Sequence, residues 1–225
     1  MKLHTFPMAI RTLSFGKSVK LPSTPAANST ISAIRMRNIA TKQPLVMVEE
    51  MGDVHIISIN RPTKRNAVNK ETAKELLHAF ESFELNPTAK VAILRGNGGY
   101  FCAGYDLGEV ASNSAPEFAD VGEGSGPMGP SRMQLRKPVI AAIEGHAVAG
   151  GLELAAWCDL RVADEKAVLG IFCRRFGVPL IDGGTVRLPA LIGLSRALDL
   201  ILTGPKKRRS FELLLRCKSI CLDGR

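Results

Sequence analysis

A carboxylate follows a pair of glycines at the point where a predicted strand gives way to a predicted helix. The apolar run Val139–Ile143 is typical of a buried strand, and Gly150-Gly151 comes a few residues after it. Glycine permits a sharp turn and lets a ligand approach the backbone closely. The first N–H groups of a helix have no intrahelical acceptor, so they can bind a negatively charged oxygen. Glu153, in the first turn of this otherwise apolar helix, is therefore a candidate acid or base.

A second glycine-containing turn, residues 101–104, lies earlier in the chain and also opens a helix-like segment. If the strands before the two turns are neighbours in one sheet, backbone N–H groups from both turns point at one spot. Two such donors aimed at a carbonyl oxygen form an oxyanion hole, which stabilises an enolate-like transition state by several kcal/mol. Two ordinary tight turns would give the same pattern, and spacing does not separate these interpretations.

Four motifs, in order and spread over residues 46–204, resemble the crotonase (enoyl-CoA hydratase/isomerase) superfamily. The turn at 60–67 is similar to the family's CoA-binding turn, and the stretch 177–188 is similar to a later landmark. The two motifs that resemble the family's oxyanion segments are Gly99-x-Phe101-Cys102-Ala103-Gly104-x-Asp106-Leu107 and Pro138-Val139-Ile140-Ala141-Ala142-Ile143-x-Gly145-x-Ala147-x-x-Gly150-Gly151-x-Glu153-Leu154-Ala155.

The resemblance implies an α/β fold built as a crotonase-like spiral of repeated ββα units. It implies acyl-CoA small molecules as ligands, with the coenzyme A thioester entering as substrate and no separate cofactor. It also implies homotrimers or hexamers. The residues that it assigns to the site are Ala103 and Gly150, whose N–H groups would hold the thioester oxygen; Glu153 as acid/base; Gly104, Tyr105 and Asp106, which with Ala103 would line the CoA path; and Lys64, Arg65 and Ala67 near the nucleotide of CoA.

The sequence departs from the family where a second catalytic glutamate is expected, because Cys173 occupies that position. The neighbouring Arg174 and Arg175 could lower the pKa of this thiol, and an inert buried thiol is the alternative. Asp182 offers another carboxylate, in an Asp-Gly-Gly setting that resembles the naphthoyl-CoA synthase branch of the family. It could equally cap the helix that follows.

Composition limits the classes of function. The chain has 225 residues and a formal charge of +9, but seven basic residues and no acid lie in 1–43. The stretch 44–204 has 16 basic and 19 acidic residues, so its charge does not indicate nucleic-acid binding. No apolar run approaches the roughly 20 residues that a membrane span needs. The five cysteines and four histidines show no metal-binding spacing.

Three segments are predicted. Residues 1–43 have the Ser- and Arg-rich, acid-free composition of a mitochondrial transit peptide, which indicates the matrix, although a basic tail without an address is the alternative. Residues 44–204 form the crotonase-like core. Residues 205–225 form a divergent basic tail, either a basic amphipathic final helix or a replacement for the family's usual C-terminus, and the chain is expected to be a shortened or divergent member.

Alternating patterns predict the elements of the core. We expect a hairpin at 46–60, a helix at 66–85 with Asn69 as its N-cap, and a strand at 91–94. After the strand at 139–143, two more strands are predicted at 160–163 and 167–171. Two short helices follow, at 183–192 and 195–202. The sequence 111–130 is predicted to be either a mobile loop over the site or a locally disordered segment.

Three functions remain open at this stage. The default is hydration of a 2-enoyl-CoA, a lyase reaction of fatty-acid or branched acyl-CoA metabolism, with Glu153 as acid/base. Enoyl-CoA isomerisation or acyl-CoA hydrolysis would use the same enolate chemistry. The third is a non-catalytic CoA-binding protein or truncated pseudo-enzyme, which the cysteine at position 173 favours.

Overall fold

A computed structural model of the chain describes residues 43–112, 125–205 and the backbone of 218–220. The predicted targeting segment lies outside these residues, apart from residue 43, as do 113–124 of the predicted loop and most of the basic tail. No helix among the described residues is both long and apolar enough to cross a membrane.

The first element is the predicted hairpin. β1 (Val46–Met51) pairs antiparallel with β2 (Val54–Ile59), and the turn between them contains Gly52 at a φ of 65°. Glycine adopts this backbone conformation without steric cost, whereas most other residues do not. Ile57 and Ile59 of β2 are fully buried, so the hairpin contributes one face to the core.

The hairpin opens a six-stranded sheet whose other neighbouring strands are parallel. The order is β1-β2-β3-β4-β6-β8, with β3 at Val91–Gly96, β4 at Val139–Ile143, β6 at Leu160–Asp164 and β8 at Lys218–Ile220. Parallel neighbours require crossover connections, and these carry the helices and the second sheet. We did not predict β8: three residues of the basic tail extend the sheet beside β6.

A smaller two-stranded parallel sheet stands beside the start of a buried helix. It consists of β5 (His146–Val148) and β7 (Val168–Gly170), and α3 (Gly150–Trp157) follows β5 almost directly. From the sequence we predicted only a turn at the position of β5. A three-residue strand has too few positions to show a period, so its pairing with β7 is visible only in three dimensions.

Five further α-helices occur in the part of the chain that the structure describes. In α1 (Lys70–Leu85), Asn69 caps the helix by accepting from the Thr72 N–H, as predicted, and Phe80 and Phe83 are fully buried. The predicted start of this helix at residue 66 is wrong by four residues. The others are α2 (Leu107–Ala111), α4 (Cys173–Phe176), α5 (Gly184–Ile192) and α6 (Leu194–Thr203), of which the last two were predicted.

The turn before α1 stays irregular because Arg65 and Asn66 both have a positive φ. The buried side chain of Asn66 accepts from the Arg61 N–H at 2.9 Å and donates to the carbonyls of Asn97 and Tyr100. Asparagine tolerates this conformation better than most residues. These bonds fasten the 61–67 turn to the loop that precedes the first glycine turn.

The end of the predicted mobile loop is part of the core. Met128 and Ser131 are fully buried, and Pro130 is buried between them. Gly129, at a φ of 85°, passes so close to α1 that an added Cβ would lie 2.4 Å from the Ala73 carbonyl oxygen. The described end of this loop is therefore part of the core, and the Met128 side chain lies against Gly150 at the start of α3.

Candidate active site

The two glycine turns meet, as the oxyanion hypothesis requires. The Cys102 N–H donates to the His146 carbonyl at 2.9 Å, and the Val148 N–H donates back to the Cys102 carbonyl at 3.1 Å. The first turn therefore runs beside β5. At Gly151 the backbones approach so closely that an added Cβ would lie 2.2 Å from the Cys102 carbonyl oxygen, which leaves room only for glycine.

The second turn holds a strained residue immediately before α3. Ala149 has a φ of 53° and a ψ of −127°, which is rare for a residue with a Cβ, and its N–H donates to the Gly170 carbonyl at 2.9 Å. Strained backbone of this kind is concentrated at functional sites. Gly150 begins the helix, and none of the described residues supplies an acceptor for its N–H. This N–H is the donor that the sequence predicted.

The other predicted oxyanion donor is already engaged. The Ala103 N–H donates to the Arg65 carbonyl at 3.1 Å, while the neighbouring Gly104 N–H contacts the Cys102 sulfur at 3.3 Å. Gly104 itself lies against the second turn, since an added Cβ there would be 3.0 Å from the Gly150 nitrogen. A thioester oxygen that binds Ala103 must share or displace the bond to Arg65.

Glu153 is buried, with 1% of its surface exposed. Its Oε1 accepts the N–H of Gly184 at 2.8 Å and that of Asp182 at 3.1 Å. Burial, reinforced by the negative charge of Asp182, raises the pKa of Glu153 from its ordinary 4.5 to about 7. A group with this pKa can both give and take a proton near neutral pH.

Asp182 is the second buried carboxyl, with 2% of its surface exposed. Its Oδ1 accepts the Met128 N–H at 3.0 Å and the Ser131 hydroxyl. Burial raises the pKa of Asp182, and these hydrogen bonds act in the opposite direction. The alternative role as a helix cap is wrong, because the N-cap of α5 is Gly183 and no side chain caps that helix.

Sequence patterns did not reveal the groups that hold Asp182 in place by hydrogen bonds. The Arg187 guanidinium donates from Nη1 to the Asp182 carbonyl and from Nη2 to the Ser131 carbonyl, each at 2.6 Å. Arg187 therefore holds these two backbone segments together. No local signal marked Ser131, which lies just after a glycine- and proline-rich stretch. Its burial depends on contacts with residues more than 50 positions away.

Cys173 is inert by the same physics that activates Glu153. The thiol is buried, and burial, with the charge of Glu153 adding to it, raises its pKa to about 12. Of the two interpretations of Cys173, the raised pKa supports the inert buried thiol and not a thiol activated by the neighbouring arginines. Arg175 donates from Nε to the Gly204 carbonyl at 2.8 Å and stacks on the Phe172 ring, 4.4 Å from its centroid.

A cavity of about 610 Å³ joins these groups. Of the predicted residues, Arg65, Ala103, Tyr105, Gly150, Glu153 and Asp182 line it, together with Cys173. Its other lining residues are mostly apolar or aromatic: Leu107, Val110, His146, Val148, Ala149, Phe172, Arg175, Phe176, Gly177, Val178, Pro179 and Ile181.

Four residues predicted to contact CoA are not among those that line this cavity: Gly104 and Asp106 of the predicted CoA path, and Lys64 and Ala67 of the predicted nucleotide contact. Asp106 instead pairs with Arg61 at 2.9 Å and caps α2 by accepting the Gly108 N–H at 3.0 Å. The Ala67 carbonyl accepts from Arg61. These contacts join the 61–67 turn to the start of α2. No group of three His, Cys, Asp or Glu side chains that could hold a metal occurs among the described residues.

Comparison with known proteins decides the family. The pattern of the enoyl-CoA hydratase/isomerase family matches residues 49–210. The chain belongs to this family. Its strand order and glycine turns are thus those of a crotonase-like α/β fold. Two solved mycobacterial structures superpose with a TM-score of 0.72 over 80% of the chain: enoyl-CoA hydratase from Mycobacterium tuberculosis (38% identical, 71% of it covered) and EchA1 from Mycobacterium marinum (35%, 69% covered).

Curated relatives have similar names. Enoyl-CoA hydratase EchA19 of Mycobacterium tuberculosis is 39% identical over 170 residues, which are 72% of this chain and 62% of that protein. The probable mitochondrial enoyl-CoA hydratase 2 of Arabidopsis thaliana is 42% identical over 153 residues, 67% of this chain and 50% of that protein. The chain thus spans between half and two thirds of the length of these relatives.

The raised pKa of Glu153 predicts a pH-dependent loss of stability. Between about pH 4.5 and 7 the native carboxyl binds more protons than the unfolded one, so stability falls as pH rises through this window. A shift of this size corresponds to about 3 kcal/mol. Glu153→Gln retains the acceptor oxygen but does not titrate. In urea denaturation, we expect its stability relative to wild type to grow by about this amount from pH 5 to pH 8.

Leu152→Val, in the same buried turn of α3, provides the control because it removes no titrating group. Its stability difference from wild type should be constant over this pH range. A constant difference for Glu153→Gln as well would show that Glu153 titrates in the folded protein as it does in water.

Proposed function

We propose that the protein hydrates 2-enoyl-CoA thioesters, in fatty-acid or branched acyl-CoA metabolism. The observation that carries this proposal is the placement of two buried carboxyls, Glu153 and Asp182, on the wall of the cavity that Gly150 also lines. Hydration needs one group to take a proton from water and another to deliver a proton to the α-carbon. The names of the relatives support the same reaction.

The thioester oxygen binds at the start of α3 in this proposal. As water attacks the β-carbon, negative charge develops on that oxygen, and the Gly150 N–H at the positive end of the helix stabilises it. Ala103 supplies the second donor once its bond to the Arg65 carbonyl is shared. Binding the substrate and loosening the 61–67 turn would therefore be coupled.

Asp182 takes the place that the family's second glutamate would occupy. Cys173 lines the same cavity, but a thiol with a pKa of about 12 transfers protons poorly near neutral pH. Asp182 enters instead from the loop before α5, and its backbone N–H binds Glu153 directly. Arg65, at the cavity lining, and the exposed Lys64 next to it would meet the phosphates of the CoA substrate.

A coupled assay with crotonyl-CoA and longer 2-enoyl-CoAs tests the reaction. Wild type should form 3-hydroxyacyl-CoA, and Glu153→Gln or Asp182→Asn should each lower kcat by roughly 10²- to 10⁴-fold, because each removes one proton-transfer group. Cys173→Ala is the matched control at the same cavity wall and should retain kcat within about two-fold. Equal turnover by wild type and Glu153→Gln would sink the assignment.

A non-catalytic CoA-binding protein is the second candidate, and the engaged Ala103 N–H favours it. Calorimetry with a non-reactive acyl-CoA on the same preparations separates the two. Binding without turnover supports this candidate, whereas turnover of 3-enoyl-CoA alone would identify an isomerase that uses the same carboxyl pair.

We infer a mitochondrial matrix location from the basic, acid-free segment 1–43. The plant relative whose name includes "mitochondrial" supports the inference. Fusing residues 1–43 to a fluorescent protein should direct it to mitochondria. Replacing the seven basic residues of the segment with glutamine should leave the fusion in the cytosol, and unchanged import would refute the role of these charges.

We infer a homotrimer or a pair of trimers, as in the family that the sequence resembles. Leu194, Leu198 and Leu202 form an exposed stripe along α6, at the spacing of one helix face. An apolar stripe of this kind is characteristic of a subunit contact. Light scattering should give a trimeric or hexameric mass, and replacing Leu198 with glutamate should shift it toward the monomer. A monomeric wild type would contradict the inference.

A further inference from the structure

Ser131 is a fully buried hydroxyl that serves the carboxyl of Asp182. Its Oγ donates to Asp182 Oδ1, and the Met128 N–H donates to the same oxygen at 3.0 Å. Both donors come from the packed end of the 125–131 segment. Two hydrogen bonds on one carboxyl oxygen favour the charged form of that group.

Arg187 holds the backbones of Asp182 and Ser131 together. It donates to the Asp182 carbonyl and to the Ser131 carbonyl at equal distances of 2.6 Å. The two backbone segments are therefore held side by side by a planar group whose donors have a fixed spacing. The hydroxyl of Ser131 has little freedom to turn away from Asp182.

Glu153 has a different set of partners. Its Oε1 accepts two backbone N–H groups, from Gly184 and Asp182, but no side-chain donor binds it among the described residues. The backbone N–H of Asp182 therefore helps to hold the Glu153 carboxyl, and the Asp182 side chain places a negative charge near it. Two neighbouring carboxyls in a buried site resist being ionised together. Each accepts two hydrogen bonds and both lie near the positive charge of Arg187, but Arg132 also favours the charged form of Asp182, so Asp182 keeps the charge.

We propose that Ser131 is a positioning residue that holds Asp182 as the charged member of the carboxyl pair, which leaves the exchangeable proton on Glu153. The proposal rests on the hydratase function and assigns one of its two proton transfers to each carboxyl. Asp182 accepts a proton from water as the oxygen bonds to the β-carbon, and Glu153 gives its proton to the α-carbon. One proton transfer from Asp182 to Glu153 then restores the starting state.

Other charged and titratable groups that act on the pair agree with this division. Arg187 places positive charge near both carboxyls, whereas Arg132 acts on Asp182 and also contacts the Ile181 carbonyl at 3.4 Å. Cys173 lies on the side of Glu153 and stays neutral because burial raises its pKa. The raised pKa of Glu153 itself has the charge of Asp182 as its second cause.

Ser131→Ala tests the proposal because it removes only the oxygen atom. We expect kcat for 2-enoyl-CoA hydration to fall roughly ten-fold or more, as for a lost hydrogen bond to a charged group, with KM nearly unchanged. Losing the donor raises the pKa of Asp182, so the acidic limb of the pH–rate profile should move to higher pH. Ser131→Thr keeps the hydroxyl and should restore the limb; an unmoved limb in Ser131→Ala overturns the proposal.

A double-mutant comparison distinguishes positioning from general loss of structure. If Ser131 acts through Asp182, Ser131→Ala should cost little more once Asp182→Asn is present. Independent, multiplying losses in the double variant would overturn the proposal. This result does not depend on whether the threonine variant fits its buried site.

Carbon-13 NMR titration of the Asp182 carboxyl provides a measurement that needs no activity. In Ser131→Ala the apparent pKa should be higher than in wild type. If wild type turns over no enoyl-CoA but this upward shift is seen, the hydratase function fails while the role of Ser131 on Asp182 stands. An unchanged pKa overturns that role even in an active enzyme.

Discussion

Two buried carboxyls, Glu153 and Asp182, act on one another electrostatically and set the main constraint on this structure. A charged carboxylate loses much of its hydration on burial, and two together also repel, so each needs hydrogen-bond donors in fixed places. Glu153 takes its donors from the start of α5, at Gly184 and Asp182. The position of α3 against α5 thus depends on the hydrogen bonds to the Glu153 carboxyl as well as on apolar packing.

The backbone at the start of α3, next to the two carboxyls, is strained and closely packed. Ala149 is held in a strained conformation, and Gly151 leaves no room for a side chain beside Cys102. Such strain persists only where surrounding contacts over-determine it. Here β5 is paired with β7 on one side and with the first glycine turn on the other, so the start of α3 cannot relax.

Much of the fold could be predicted from sequence, because the hairpin, the strand at 139–143 and the helices α5 and α6 have clear periods and glycine boundaries. In the site, the glycine turns and Glu153 were visible as motifs. Ser131 was not, because its burial comes from Asp182 and Arg187, more than 50 residues away. The bond from Ala103 to Arg65 was also hidden, since it depends on two successive residues with positive φ.

Asp182 is held by donors from a segment that lies more than 50 positions before it in the chain. A carboxylate at 173 would have stood on α4, whereas Asp182 approaches Glu153 from the loop before α5 and needs its own donors. Met128 and Ser131 supply them, so a segment with the composition of a loose loop must be buried at its end. Burying a carboxyl at position 182 thus requires residues 128–131 to pack beside it, and the Met128 side chain also lies close to Gly150 in the second glycine turn.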